Sequence, residues 1–243
     1  MKKLIWQYNV KSERSYDQGF EEIARCSIET VKRYASKIGA DHVIETVPTL
    51  FDDTRNFPGV DFFTFMKDSR YNNYDFLIKF DADFLIGPKF PDLSQTHYRY
   101  VGLAAYGRSS WRDKWYEVHE RTWSNFNLDF DKWASNYVLA GLAGFPKSTK
   151  QWLTETIDDK VVESFTHCKN PTMIQRDKNF KWSITEQSYI NYLLYHAPFK
   201  VQTLHYPMKP SLLTYHAGPR IPQQIERYKK LTDDILKMWD TTG

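Results

Sequence analysis

The stretch that decides the reading is "YDFLIKFDADFLIG", residues 74–87. Residues 76–80 are nearly continuous apolar, the composition of a strand covered on both faces. Asp81 and Asp83 fall at its C-terminal end, and the apolar run then resumes. In extended geometry residues i and i+2 point to the same side. The two carboxylates should therefore face one point, with their α-carbons about 6 to 7 Å apart. Left bare beside apolar surface, they would repel each other and be pushed to higher pKa values. A hard divalent cation removes that problem, because Mg2+ or Mn2+ prefers carboxylate and phosphate oxygens. The bland alternative is that both acids cap a turn after the strand.

Working outward, "KLIWQYNV" (3–10) reads as a buried strand that turns polar at Gln7, Tyr8 and Asn9. In residues 18–39, Phe20, Ile23, Ile28, Val31, Tyr34, Ala35 and Ile38 recur mostly at three- and four-residue steps, which predicts an amphipathic helix closed by Gly39. A second strand is expected at 41–47, a loop at 48–60 and a helix at 61–70, ahead of the strand at 74–80. Strand, helix, strand, helix, strand argues for βαβ units around a mostly parallel sheet. Open sheets of this kind bind ligands outside the carboxyl ends of their strands, where Asp81 and Asp83 lie. Further strands are expected at 98–107 and 199–207. The segment 111–133 reads as mixed helix and loop, and 136–148 as an apolar strand or turn. Helices are expected at 149–165, 184–195 and 221–240.

The bulk numbers narrow the class. A chain of 243 residues, 41% hydrophobic and 26% charged, folds as an ordinary domain. A formal net charge of +3 gives little reason to expect nucleic-acid binding. The aromatic content of 16% suits either a core or platforms for sugars and bases. Two cysteines, Cys26 and Cys168, make no disulfide framework. No secretory leader or apolar run of spanning length is visible, so a cytoplasmic protein is expected. The evenly charged segment from 221 onward permits at most peripheral membrane contact. Neither a Gly-x-x-x-x-Gly-Lys-Ser/Thr loop nor a Gly-x-Gly-x-x-Gly fingerprint occurs, so a bound diphosphate would need a metal where other proteins use a glycine-rich loop.

With these features "FDADFLIG" (80–87) resembles the Asp-x-Asp motif of GT-A fold glycosyltransferases, where it ends a strand in a nucleotide-binding half. The resemblance implies an α/β fold with a mostly parallel central sheet flanked by helices. It also implies Mn2+ or Mg2+ held against the diphosphate of a nucleotide sugar. "YVLAGLAGFPKS" (137–148) is similar to the small-residue segment beneath sugar and acceptor. "ITEQSYINYLL" (184–194) is weakly similar to the acidic helix start of the retaining blood-group and α-1,3-galactosyl transferases, which would put Glu186 beside the reacting sugar. "LTYHAGPR" (213–220) resembles a C-terminal segment whose histidine completes the metal shell, here His216. The domain would be residues 1–220, with a nucleotide-binding half at 1–100 and an acceptor and sugar half at 101–220. Residues 221–243 would form a helical tail.

The resemblance assigns Asp81 and Asp83 to the metal and donor. Asp81 is also within reach of the ribose, and Asp83 is the more direct ligand. Tyr8 could stack on a base and Asn9 hydrogen-bond its edge, or both could mark an ordinary strand end. Arg70, Lys67 and Arg220 are candidates for phosphate contact, with solvated helix positions as the alternative for the first two. Gly141 and Gly144 allow close backbone approach or a tight bend. Trp111, Trp115, Tyr116, Trp123 and Trp182 are candidate acceptor platforms. His119 with Glu117 and Glu120 lacks the spacing of a zinc site, and His167 beside Cys168 lacks a second ligand pair. The expected reaction moves a monosaccharide, a hexosyl unit by preference, from a UDP-sugar to a hydroxyl of a carbohydrate or glycoconjugate acceptor. Glu186 would act as base in an inverting enzyme and against the anomeric carbon in a retaining one. The rival classes are a sugar-phosphate nucleotidyltransferase and a non-catalytic carbohydrate-binding protein.

Overall fold

A computed structural model describes residues 1–9, 19–47, 61–104, 136–160, 162, 186–204, 209–215 and 222–242. The chain begins with strand β1 (Lys3–Tyr8), helix α1 (Phe20–Ile38) and strand β2 (Ala40–Glu45). Helix α1 forms because Ile23, Ser27, Thr30, Val31, Tyr34 and Ile38 make one buried stripe. It stops at Gly39, whose φ of 64° is the left-handed cap that a side chain would disfavour. Helix α2 (Asp61–Lys67) and a short 3-10 turn at Ser69–Tyr71 lead into β3 (Phe76–Asp81). The apolar run then breaks at Ala82 and Asp83 and resumes as β4 (Phe84–Ile86). After β5 (Tyr100–Ala104) the described elements are β6 (Val138–Pro146), α3 (Lys147–Thr156), α4 (Glu186–Tyr195), β7 (Val201–Leu204), β8 (Leu213–Tyr215) and α5 (Pro222–Thr241).

Six strands form one sheet in the order β2-β1-β3-β6-β5-β7. β1 runs parallel to both β2 and β3, and β5 parallel to β7, while β6 lies antiparallel between β3 and β5. The register brings Tyr8, Glu45 and Asp81 level across β1, β2 and β3, at the carboxyl edge of the parallel half. Residue alternation sorts the two faces. Leu4, Trp6, Tyr8 and Leu77 pack with Phe62, Phe63, Phe65 and Met66 of α2, and with Leu153 of α3 and Tyr189, Ile190, Leu193 and Leu194 of α4. Ile5, Ile78 and Phe80 point the other way, into Val31, Tyr34, Ala35 and Ile38 of α1. The βαβ expectation and the mostly parallel sheet thus match the structure.

One expectation needs correction. The strand expected at 74–80 is β3, but the chain turns at Ala82 and Asp83, and β4 then leaves the large sheet to pair antiparallel with β8. Asp83 therefore stands in a turn, and the extended-strand argument for two carboxylates on one side does not reach it. The segment beyond 221 is helical, as expected, and packs against α1 and β4. Ile225, Tyr228 and Ile235 of α5 are buried with Ile23 and Cys26 of α1 and Leu85 of β4, and the Trp239 indole N–H donates to the Ile86 carbonyl at 2.9 Å. No helix among the described residues is long and apolar enough to cross a membrane.

Candidate functional site

The end of β3 is held from three directions. On the α1 face, Gln7 is fully buried and its amide N–H donates to the Ser27 hydroxyl at 2.9 Å and to the Asp81 carbonyl at 3.4 Å. Gln7 Oε1 accepts from His42 Nε2 at 2.9 Å, so a polar thread runs from β2 through β1 and α1 to the last residue of β3. Burial lowers the His42 pKa to about 4, with Lys32 adding to the effect, which keeps the ring neutral. From α5, the Tyr228 hydroxyl donates to the Asp83 carbonyl at 2.5 Å. Thr30 of α1 holds the end of the next strand, its hydroxyl accepting from the Ile86 N–H at 3.1 Å. Backbone carbonyls on both sides of the Ala82 turn are therefore tied down by side chains.

The Asp81 carboxylate lies on the opposite face, the one that carries Trp6 and Tyr8. Lys79, two residues earlier on the same face, is only 1% exposed and donates to Asp81 Oδ1 at 2.5 Å. The same ammonium donates to the Ala140 carbonyl at 2.8 Å. The Asp81 side chain is 41% exposed, and its Oδ2 makes no hydrogen bond to the described residues. A Cβ added to Gly141 on β6 would sit 2.6 Å from that Oδ2 and 2.8 Å from the Phe84 ring. Gly141 thus makes room for the carboxylate itself.

Sequence reasoning passed over Lys79, because it sits inside a run that reads as apolar. The signal was present in the strand period, which puts residues 79 and 81 on one face. It also missed Asn191 of α4, a buried side chain that accepts from the Val138 N–H and donates to the Val138 carbonyl, both at 2.9 Å, and so fastens α4 to β6. Glu186 is the first residue of this helix.

The remaining candidates are distributed as follows. Tyr8 is 5% exposed, and its ring stacks on Trp6 at 5.5 Å, so it forms part of the core and not an open platform. The Asn9 N–H donates to the Glu45 carbonyl at 2.7 Å, while its Oδ1 is buried without a hydrogen-bond partner. Arg70 is committed to acids: it donates to Asp68 through Nε at 2.8 Å and to Glu45 through Nη2 at 2.8 Å. These carboxylates raise its pKa further, with Asp68 the larger cause. Tyr71 also donates to Glu45, and burial followed by that acid pushes its phenol upward. Lys67 reaches the Thr154 and Ile157 carbonyls and Asp159. A Cβ added to Gly144 would meet the Leu93 side chain at 3.2 Å. His216, Arg220, Trp111, Trp115, Tyr116, Trp123, Trp182, His119, His167 and Cys168 lie outside the described residues, as does the side chain of Glu186. Among the described residues no group of three or more His, Cys, Asp or Glu converges as a ready metal cage.

The sequence matches no model of a known protein family, and no curated protein matches it. Its structure is similar to that of a glycosyltransferase involved in glycosylation of the major capsid of PBCV-1. The two share 13% identity, 95% of this chain and 100% of that chain are covered, and the TM-score is 0.54. That likeness shows the fold, which is of the GT-A glycosyltransferase type. Two more distant structures are the apo-form glycosyltransferase GlyE of Streptococcus pneumoniae TIGR4, at 11% identity, and a mutant Drosophila β-1,4-galactosyltransferase 7, also at 11%, complexed with manganese, UDP-Gal and xylobiose. The first pairs 100% of this chain with 64% of GlyE at a TM-score of 0.47, and the second 90% with 72% at 0.45.

Proposed function

We propose that the chain is a glycosyltransferase that moves a hexosyl unit from a UDP-sugar to a hydroxyl of a carbohydrate or glycoconjugate acceptor, with Mn2+ or Mg2+ in its site. The observation that carries this reading is the Asp81 carboxylate. It stands at the carboxyl end of the central parallel strands, fixed by Lys79 through one oxygen, with the side chain as a whole 41% exposed. That is where open α/β sheets place their ligands, and the fold-level likeness to a glycosyltransferase agrees.

A partly exposed carboxylate held in one direction is a suitable donor for a hard cation. Asp83 follows in the adjoining turn, and the sequence offers His216 as a third ligand. When bound, the cation would stabilise charge gathering on the oxygens of the departing diphosphate. The chain's own residues do the positioning. Asp81 presents one oxygen toward cation or ribose. The orphaned Asn9 Oδ1 is a hydrogen-bond acceptor waiting at the end of β1 for a donor such as a base N–H. Arg220 is the remaining candidate for phosphate, since Arg70 is engaged by Asp68 and Glu45. Glu186 acts near the anomeric carbon, taking the acceptor proton if configuration inverts or facing the carbon from the other side if it is retained.

Calorimetric screening of nucleoside diphosphate sugars against the whole chain, with and without Mn2+, tests the proposal. A UDP-sugar should bind in a manganese-dependent way, and Asp83→Ala should abolish slow donor hydrolysis while leaving the thermal transition in place. Binding indifferent to manganese, or hydrolysis unchanged in that variant, would refute the reading.

A further inference from the structure

A lysine inside a covered strand is costly unless it is paired. Lys79 is 1% exposed, flanked in sequence by the buried Ile78 and Phe80, and level with Trp6 on β1 and Ala143 on β6. Buried ion pairs are weak contributors to stability, and apolar side chains of similar size commonly replace them without loss. Packing alone therefore does not call for a cation here. What the lysine does have is a fixed relation to Asp81, at 2.5 Å, and to the Ala140 carbonyl at 2.8 Å.

We propose that Lys79 is an internal counter-cation, a positioning residue that occupies one oxygen of Asp81 and neutralises it, so that the site gains high affinity for a divalent ion only when an anionic ligand arrives with it. The proposal rests on the reading of Asp81 as a cation and donor residue and deepens it. The geometry has two consequences. First, Oδ1 accepts from the lysine, so Oδ2 is the oxygen left without a cation beside it, and it rests in the space that Gly141 leaves on β6. Second, an approaching cation meets Asp81 with its charge already offset a few ångströms away. The missing negative charge must come from a diphosphate. Metal and nucleotide then bind together, and the metal alone binds weakly.

The test is titration of Mn2+ alone, and of Mn2+ with UDP, into the wild-type chain and into Lys79→Met, read by calorimetry and by electron paramagnetic resonance of free Mn2+. Removing the counter-charge should tighten binding of Mn2+ alone by about tenfold or more, the order expected for loss of one unit charge nearby in a partly solvated site. It should also shrink the factor by which UDP improves Mn2+ binding. Asp81→Asn in the Lys79→Met background should remove the gain, which shows that it passes through Asp81. If Lys79→Met melts early, Lys79→Gln, which keeps a donor without the charge, supports the same reading. Mn2+ affinity that is unchanged or weaker in a folded Lys79 variant overturns the proposal, as does tight binding of Mn2+ alone to the wild type. A wild type that binds Mn2+ weakly and gains nothing from UDP would instead defeat the glycosyltransferase reading, while the effect of Lys79→Met on Mn2+ alone still decides the role of the lysine.

Discussion

At the scale of single residues, the question raised by two acids in an apolar run has a different answer for each. Asp81 is tolerated because a buried ammonium is paired with it, and Asp83 because it stands in a turn. The pattern of the sequence placed both acids at the strand end. It did not reveal the lysine as a partner, because one polar residue in five scarcely alters an apolar run. Gly141 follows from Asp81. Replacing it by alanine would press a methyl group to within 2.6 Å of Oδ2. Gly141→Ala should therefore destabilise the fold by about 1–3 kcal/mol, as overpacking does. It should also weaken manganese-dependent UDP binding by about tenfold or more, and parallel denaturant and calorimetric titrations check both. His42 permits a prediction about pH. Its pKa in the fold is about 4, below the unfolded value of 6.5, because burial disfavours the charged ring. The unfolded chain takes up the proton first, so this stability is present above pH 6.5 and is lost as pH falls toward 4. Urea unfolding of the wild type should lose about 2 kcal/mol more over that window than His42→Gln, which keeps a donor for Gln7 but cannot titrate.

At the scale of elements, periodicity located most of the described strands and helices to within a few residues, although the helix expected at 149–165 already ends at Thr156. Helix α1 is the clearest case, since its buried stripe and its left-handed glycine both act locally. What periodicity could not show is partnership between strands far apart in the chain. β4 reads as the continuation of β3, yet it pairs with β8, about 130 residues on. Nothing within residues 74–87 encodes that choice, because the partner supplies it. The same holds for β6, whose antiparallel place between β3 and β5 no local pattern announces. Helix α4 carries its anchor in one residue. Asn191 makes paired hydrogen bonds with Val138 and donates to the Gln187 carbonyl at 2.8 Å, all within a buried face. In Asn191→Leu the Val138 N–H and carbonyl would be left without this partner. A loss of about 2–4 kcal/mol is expected in chemical denaturation, from two unsatisfied buried groups. Hydrogen exchange at the Val138 amide should accelerate, while amides of β1 and β2 should respond only through global stability.

At the scale of the whole molecule, the site is assembled from parts that lie far apart in sequence: β1, the end of β3, the middle of β6 and the last helix. The role of that helix is the least legible feature of all, because an amphipathic terminal segment reads equally well as an appendage. Its apolar face is occupied. Ile225, Tyr228 and Ile235 cover Ile23, Cys26 and Leu85, and Tyr228 and Trp239 bond to carbonyls on either side of β4. Three such side chains contribute on the order of 5 kcal/mol of burial, an upper figure because unfolded chains already cover some of that surface. This is comparable with the whole stability of an ordinary domain. A chain ending at residue 221 should therefore fail to melt cooperatively, or melt far below the full chain, and should associate through the exposed surface of α1. Circular dichroism melts and gel filtration of the two lengths decide the matter. The separate substitution Tyr228→Phe leaves the burial intact and removes only the hydrogen bond to the turn. It should cost about 1 kcal/mol and loosen manganese-dependent binding more than it lowers the melting temperature. Should the shortened chain melt with the full one, α5 would be an attachment to the fold, and its hold on the Asp83 carbonyl would have no bearing on how the carboxyl edge is built.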